Sequence, residues 1–191
     1  MRSSVEIYNI ATGQTRIVWQ TDRLFEAPNF TADGRSLILN ADGLLYRLPL
    51  DGGEPAEIDT GLARNCNNDH GVSPDGATIV ISDKTEYGAS TIYTLPIGGG
   101  TPRQVTGKTP SYWHGWSPDG KTLAYCGIRD NVFDIYTIPV DGGEEKRLTF
   151  GEGHCDGPDF SADGARIYYN CDRTGHAQIW VMAADGSGQR Q

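Results

Sequence analysis

The chain has no long hydrophobic run. No apolar stretch approaches the roughly 18 residues that a membrane-spanning helix needs. The first 25 residues alternate like β-strands and contain no apolar stretch of signal-peptide length. We therefore expect no membrane insertion. As written, the chain is expected in the cytoplasm, and a missing N-terminal segment would make the periplasm the expected compartment.

Positive charge is also scarce. The sequence has 16 Lys and Arg against 25 Asp and Glu, giving a formal net charge of −9. Binding to phosphate requires a clustered positive field, so this balance argues against nucleic acid and anionic membrane surfaces as partners. It weakly favours neutral or basic partners.

Cysteines are few and irregularly spaced. The four are Cys66, Cys126, Cys155 and Cys171, and their spacing matches neither a paired CxxC zinc site nor a dense disulfide framework. We expect four free thiols. The alternative is a disulfide between Cys126 and Cys171, which lie one repeat apart near the ends of equivalent strands.

Two common catalytic motifs are missing. The sequence contains no Gly-x-Ser-x-Gly nucleophile elbow and no Gly-x-x-x-x-Gly-Lys-Ser/Thr phosphate loop. The run Gly98-Gly99-Gly100 joins two predicted strands and is a turn. These absences favour a binding protein over an enzyme.

What the sequence does contain is a repeated turn, supported by 25 glycines and 10 prolines. In such a turn proline presets φ, aspartate bonds its own backbone and glycine takes the left-handed conformation. The turn recurs every 42 to 44 residues, which is the period of a β-propeller with four-stranded blades. The four copies are Thr31-Ala32-Asp33-Gly34, Ser73-Pro74-Asp75-Gly76, Ser117-Pro118-Asp119-Gly120 and Ser161-Ala162-Asp163-Gly164.

Around each turn the pattern predicts four strands, labelled A to D from the centre of the ring outward. Strand C carries a repeated aliphatic–aromatic pair, which we interpret as packing between blades. The chain begins with strands C and D alone, so we predict an all-β, single-domain propeller of about four and a half blades. The predicted bounds are a half blade at 1–20 and blades at about 24–60, 66–107, 110–150 and 154–191.

These repeats resemble those of the TolB-like propeller family. The resemblance covers essentially the whole chain and rests on blocks such as Gly115-Trp116-Ser117-Pro118-Asp119-Gly120 and Pro158-Asp159-Phe160-Ser161-Ala162-Asp163-Gly164. It implies a ring of usually six blades and a binding function toward a protein or peptide partner, or a small polar ligand. The namesake of the family is a periplasmic binding protein.

Four and a half blades leave three alternatives for the ring. The chain is a fragment of a longer six-bladed protein, it pairs with another copy or a partner, or its four full blades close on themselves. Unpaired strand edges and apolar blade faces are adhesive. We therefore expect self-association through the unclosed blade edges.

The segments just before each repeated turn are the candidate site, because the starts of the A strands meet at one mouth of the central channel. These segments differ between repeats while the framework recurs. The candidate ligand-binding residues are Glu26, Asn68, Asp69, His70, Tyr112, Trp113, His114, His154 and Asp156.

Two histidines stand out among them. His70 and His114 both lie five residues before the turn aspartate, and Glu26 and Asp156 share a position two residues further upstream. Two imidazoles and two carboxylates around one mouth could bind a divalent metal such as Zn or Mn. Oligogalacturonate lyases, which are similar propellers with a histidine-held metal, add to this interpretation. Alternatively, the histidines bond backbone groups or contact a polar ligand.

The aromatic residues near His114 divide into two kinds. Trp116 aligns with Phe30, Val72 and Phe160 and is predicted to be core, whereas Trp113 has no aromatic counterpart in the other repeats. Trp113 could stack on a sugar ring or an apolar peptide side chain, or plug the channel. The sequence thus predicts a non-catalytic binding or scaffold propeller with no cofactor. The alternatives are a metal-dependent carbohydrate-active enzyme and an inactive fragment of a larger propeller.

Overall fold

The computed structural model describes residues 2–191, and Met1, the first residue of the predicted half blade, lies outside them. All the regular structure in this range is β-strand, arranged as one half blade and four larger sheets. The half blade contains β1 (Ser3–Asn9) and β2 (Gln14–Thr21). The first full blade contains β3 (Glu26–Phe30), β4 (Ser36–Ala41), β5 (Leu44–Pro49) and β6 (Ala56–Ile58). The second contains β7 (Cys66–Val72), β8 (Thr78–Asp83), β9 (Thr91–Pro96) and β10 (Arg103–Gln104).

The remaining two blades follow the same plan. The third blade contains β11 (Ser111–Trp116), β12 (Thr122–Arg129), β13 (Val132–Pro139) and β14 (Lys146–Arg147). The fourth contains β15 (Cys155–Phe160), β16 (Arg166–Cys171) and β17 (Gln178–Ala183), and its outer strand is reduced to one bridge between Val181 and Arg190. Every sheet is an antiparallel meander in chain order. The all-β propeller prediction is confirmed, and the described arc of blades is not closed.

No helix among residues 2–191 is long and apolar enough to cross a membrane.

The repeated turns form as their sequences predict. In the second blade the Ser73 hydroxyl donates to Asp75 Oδ1 at 2.5 Å, and the Ala77 amide donates to the same oxygen at 3.0 Å. Gly76 takes the left-handed conformation with a φ of 74°. The Ser73 hydroxyl and the Ala77 amide both lower the pKa of Asp75, so its carboxylate is engaged in holding the turn.

The hydrophobic core lies between successive blades. One cluster joins the first and second blades through Ile38, Leu45, Ile79 and Ile81, all fully buried. Corresponding clusters join the second blade to the third and the third to the fourth. The strand C aromatics Tyr46, Tyr93 and Tyr136 are buried in this packing, which confirms their predicted role.

The cysteine prediction was wrong. Cys155 and Cys171 form a disulfide, while Cys66 and Cys126 are free and buried. The cause is a bulge in β15 between Asp156 and Asp159. If the register of the pair Phe160–Ile167 continued without a bulge, Cys155 would lie opposite Asp172. The extra residue of the bulge places Cys155 opposite Cys171 instead.

The alternative pairing of Cys126 with Cys171 was wrong as well. Cys126 lies on β12 of the third blade, and its thiol donates to the Cys155 carbonyl oxygen at 3.4 Å. It thus contacts the disulfide-bonded strand through a backbone group.

Candidate functional site

The innermost strand of each full blade is interrupted by a bulge close to its start. The register shifts lie between Glu26 and Asn29, Cys66 and His70, Trp113 and Gly115, and Asp156 and Asp159. A bulge redirects the side chains on its strand. The bulges of β3, β11 and β15 fall at equivalent positions, whereas the bulge of β7 is longer and ends at His70, so side chains before His70 take a different register in the second blade.

One ion pair and a set of Coulombic interactions link four side chains on the innermost strands of three blades. His114 on β11 and Asp156 on β15 lie 3.0 Å apart between Nε2 and Oδ1, although the ring N–H is not aligned for a hydrogen bond. Asp69 on β7 is within Coulombic range of both, and Tyr112 is within range of both carboxylates. We call Asp69, Tyr112, His114 and Asp156 the channel cluster.

The two carboxyl groups of the channel cluster have different pKa values. Burial raises the pKa of Asp69, and the nearby Asp156 carboxylate acts in the same direction, outweighing His114 and Asn67. Burial also raises the pKa of Asp156, but the adjacent His114 imidazole and the Gly157 amide more than offset it, so the pKa falls below its usual range. Burial and the carboxylates of Asp69 and Asp156 raise the pKa of the Tyr112 hydroxyl. The cluster therefore combines two acids of unequal strength with an imidazole and a phenol.

His70 lies outside the channel cluster. It is only 2% exposed, and its Nε2 lies 3.3 Å from the carbonyl oxygen of Ile38 in the first blade. The Nδ1 atom is buried without a partner among the described residues, and burial lowers the pKa of the ring. The predicted arrangement of His70 and His114 facing one mouth is thus wrong. His114 occupies the bulge of its strand, whereas the bulge of β7 precedes His70.

No three His, Cys, Asp or Glu side chains within residues 2–191 converge to form a group that could hold a metal ion.

Trp113 is a core residue and not a stacking surface at the mouth. It is 7% exposed, and its backbone amide donates to the Ser82 hydroxyl at 2.9 Å. The indole lies directly against Gly71 of the second blade, where a Cβ atom would come within 2.2 Å of its Cη2. Glycine at position 71 makes room for the tryptophan. Trp116 is half-buried and packs against the same core cluster, as predicted.

Three other predicted residues lie apart from the channel cluster. Glu26 and Asn68 are exposed on β3 and β7. His154 is exposed and stacks on Phe133 with ring centroids 3.9 Å apart, while its backbone amide bonds Asp172. Among the described hydrogen bonds and ion pairs, none joins these side chains to the cluster.

Sequence reasoning missed three residues next to the cluster. Asp159 packs against Gly115, and burial raises the pKa of its carboxyl. Asn67 donates to Asp69 Oδ2 at 2.5 Å. The Cys126 thiol lies beside Asp156, and burial followed by this carboxylate raises its pKa. Asp159 had a signal in the sequence, since its position holds Asn29, Gly71 and Gly115 in the other blades.

Known proteins resemble this chain over its whole length. The family model described as the TolB beta propeller domain matches residues 108–191. An uncharacterized protein of Agrobacterium fabrum is 62% identical over 188 residues, which cover 98% of this chain and 64% of the relative. The chain therefore spans about two thirds of that relative's length.

Two solved structures extend the comparison. A TolB-type protein from Agrobacterium tumefaciens is 61% identical with a TM-score of 0.98, and the match covers all of this chain and 69% of that one. TolB from Acinetobacter baumannii is 20% identical with a TM-score of 0.82, covering 98% of this chain and 48% of that one. The second likeness concerns the fold alone. With the repeats, the blades and the first structure in agreement, the chain belongs to the TolB-like β-propeller family.

Proposed function

We propose that this propeller is a non-catalytic binding module that takes a segment of a protein or peptide partner at the channel mouth. The observation that carries the proposal is the channel cluster, in which three blades contribute polar side chains to one half-buried place. Residues whose packing is explained by the core, such as His70 and Trp113, are excluded from it. What remains is polar, differs between repeats and is partly exposed.

The charge of the cluster indicates the chemistry of the bound group. Asp156 contacts a single imidazole, that of His114, and Asp69 and Asp159 lie within Coulombic range of the same ring. Two or three carboxylates against one histidine favour a ligand that brings a positive charge, such as a lysine or arginine side chain. The Tyr112 ring offers an aromatic edge and a hydroxyl beside that charge.

A metal-dependent carbohydrate-active enzyme is supported less well. Solved structures of oligogalacturonate lyases share this fold at 14% identity, which concerns the fold alone. The two histidines predicted as ligands lie in different surroundings.

The experiment is a selection of random peptides displayed on phage against the purified chain, followed by calorimetry with the enriched peptides. We expect enrichment of Lys and Arg, and a rise of at least about tenfold in Kd for Asp69→Asn and for Asp156→Asn, the scale of one charge-assisted contact. Glu26→Gln is the matched control, because Glu26 is an exposed acid outside the cluster, and it should leave Kd unchanged.

The proposal fails if no peptide is enriched. It also fails if the enriched peptides bind the Asp69 and Asp156 variants as tightly as the parent chain. Circular dichroism of each variant establishes that a lost affinity does not reflect a lost fold.

A further inference from the structure

A cleft between the second and third full blades lies on the other face of the arc from the channel cluster. Its volume is about 680 Å³, within the range of small-molecule sites. Its walls are the repeated turns at 73–76 and 117–120, the end of β9 and the turn that follows β13. In an antiparallel meander these turns share one face, and the starts of the innermost strands lie on the other. The cleft is therefore separate from the channel cluster.

The residues of this cleft differ from those at the corresponding positions of the other two junctions between full blades. The position of Trp116 is occupied by Val72 between the first and second blades and by Phe160 between the third and fourth. The strand pairing shows that Arg103 is equivalent to Ala56 in the first blade and to Lys146 in the third. The cleft lined by Phe160 is smaller, at about 390 Å³. The first junction carries Arg47, which donates to the Ile97 carbonyl, but it has no tryptophan, so tryptophan and arginine occur together at one junction of the three.

The cleft offers hydrogen-bond donors. Arg103 Nη2 donates to Thr94 Oγ1 at 3.3 Å and to the Val140 carbonyl at 2.9 Å, and pairs with Asp141 at 3.2 Å. Its Nη1 and Nε have no described partner. The indole of Trp116 packs on the core and lines the cleft, and its Nε1–H is buried without an acceptor among residues 2–191. An unpaired buried donor is costly, so a small rotation of the ring toward a ligand oxygen would be favourable.

The cleft also offers acceptors. Asp75 and Asp119 each use Oδ1 to bind a serine hydroxyl and a backbone amide of their own turn. Those bonds lower the pKa of both carboxyls, so both are ionised at neutral pH. Their Oδ2 atoms accept no described hydrogen bond from the protein. Since Asp141 already pairs with Arg103, the lining keeps an excess of negative charge that repels an anion.

We propose that this cleft binds a short neutral oligosaccharide. Sugar hydroxyls both donate and accept, so they can serve the free oxygens of Asp75 and Asp119 and the free nitrogens of Arg103 at the same time. The apolar face of a pyranose ring packs on the indole of Trp116 and on Pro74 and Pro118. A cationic side chain would satisfy the carboxylates but would not serve Nη1 and Nε of Arg103.

The experiment is a titration of the isotope-labelled chain with maltotriose, cellotriose and triacetylchitotriose, followed by NMR. Each sugar is taken to about 10 mM, tenfold above a Kd of about 1 mM. We expect at least one sugar to give saturable shifts of the Trp116 indole N–H and of amides in the turns at 73–76 and 117–120. The Trp116 signal is assigned by its loss in Trp116→Phe.

Two variants test the contacts and one serves as their control. Phenylalanine already occupies the equivalent position in two blades, so Trp116→Phe should fold and raise Kd about fivefold to tenfold, as for one lost hydrogen bond. Arg103→Ala should raise Kd by a similar factor. Lys146→Ala removes the equivalent cation from the neighbouring cleft and should leave Kd unchanged.

Three results would overturn the proposal. The first is no saturable shift with any of the three sugars. The second is binding that is equally tight in Arg103→Ala and Lys146→Ala. The third is saturable binding of a lysine-rich peptide at these turns in place of the sugars. Asp156→Asn should leave sugar binding intact, so this proposal and the proposed function can fail separately.

Discussion

Substituting Gly71 tests how the second and third blades pack together. A Cβ atom at position 71 would lie 2.2, 2.6 and 3.2 Å from three carbons of the Trp113 indole. Carbon atoms in contact are separated by about 3.5–4.0 Å, so the ring would have to move by more than about 1 Å. The ring cannot move freely, since it is 7% exposed and its own backbone amide is bonded to Ser82.

Overpacking of this kind costs about 1–3 kcal/mol, and occasionally more. We expect Gly71→Ala to lower the free energy of unfolding by about 3 kcal/mol because the clash involves a rigid, buried ring. For a chain of this length, about 1 kcal/mol shifts Tm by about 2–4 °C, so the expected fall in Tm is about 6–12 °C. Urea denaturation followed by fluorescence measures the free energy, and a thermal scan followed by circular dichroism measures Tm.

The matched control is Gly98→Ala. A Cβ atom added at Gly98 would meet no other atom within 4 Å, and its φ is not left-handed, so this substitution should be neutral or stabilise by up to about 1 kcal/mol. A double variant completes the test. Trp113→Phe should recover part of the loss in the Gly71→Ala background, with a coupling energy of about 1–3 kcal/mol. Equal stability of Gly71→Ala and Gly98→Ala would refute the packing described here.

The disulfide, His70 and the open arc of blades each give a further prediction. Replacing Cys155 and Cys171 together by serine should lower the free energy of unfolding by about 3 kcal/mol, the value for a disulfide that closes a loop of about 15 residues. Thiol titration of the denatured chain without reductant should detect only Cys66 and Cys126. Burial lowers the pKa of His70 in the folded chain. The free energy of unfolding should therefore have its full value above the unfolded pKa of about 6.5, and it should decrease by up to about 1.4 kcal/mol per pH unit as the pH falls from there toward the folded pKa. His70→Gln should remove that slope in urea titrations. Light scattering should detect self-association, and a monomer at all accessible concentrations would contradict it.

The fold could be predicted from the sequence because the information is local and repeated. Each Ser/Thr-x-Asp-Gly turn forms through bonds between neighbours in the chain, as the contact of Ser73 with Asp75 shows. Alternation and the strand C aromatics then specify which faces are buried. Four copies of the same signal define the blades without knowledge of any contact between them.

The site was harder to predict because alignment by sequence position assumes a constant register. The longer bulge of β7 broke that assumption in the second blade. His70 and His114 share a position but not a direction, and Cys155 gained Cys171 as a partner through the bulge beside it. The fit of Trp113 against Gly71 is likewise a contact between residues of different blades. That information is not local and could not be read from the repeat.

The packing of Trp113 against Gly71 also affects how blades of similar sequence assemble in the correct order during folding. Blades of similar sequence could dock in the wrong order or exchange between molecules, which is a known failure of repeat proteins. The bulky ring of Trp113 needs a bare backbone on the neighbouring blade, which Asn29 and Asp159 do not offer at the equivalent position of the first and fourth blades. The position of Trp116 also differs between blades, since Val72 and Phe160 occupy it in the second and fourth. Differences between the repeats thus help each blade to pack against its correct neighbour. A chain with four identical blades should misassemble more often.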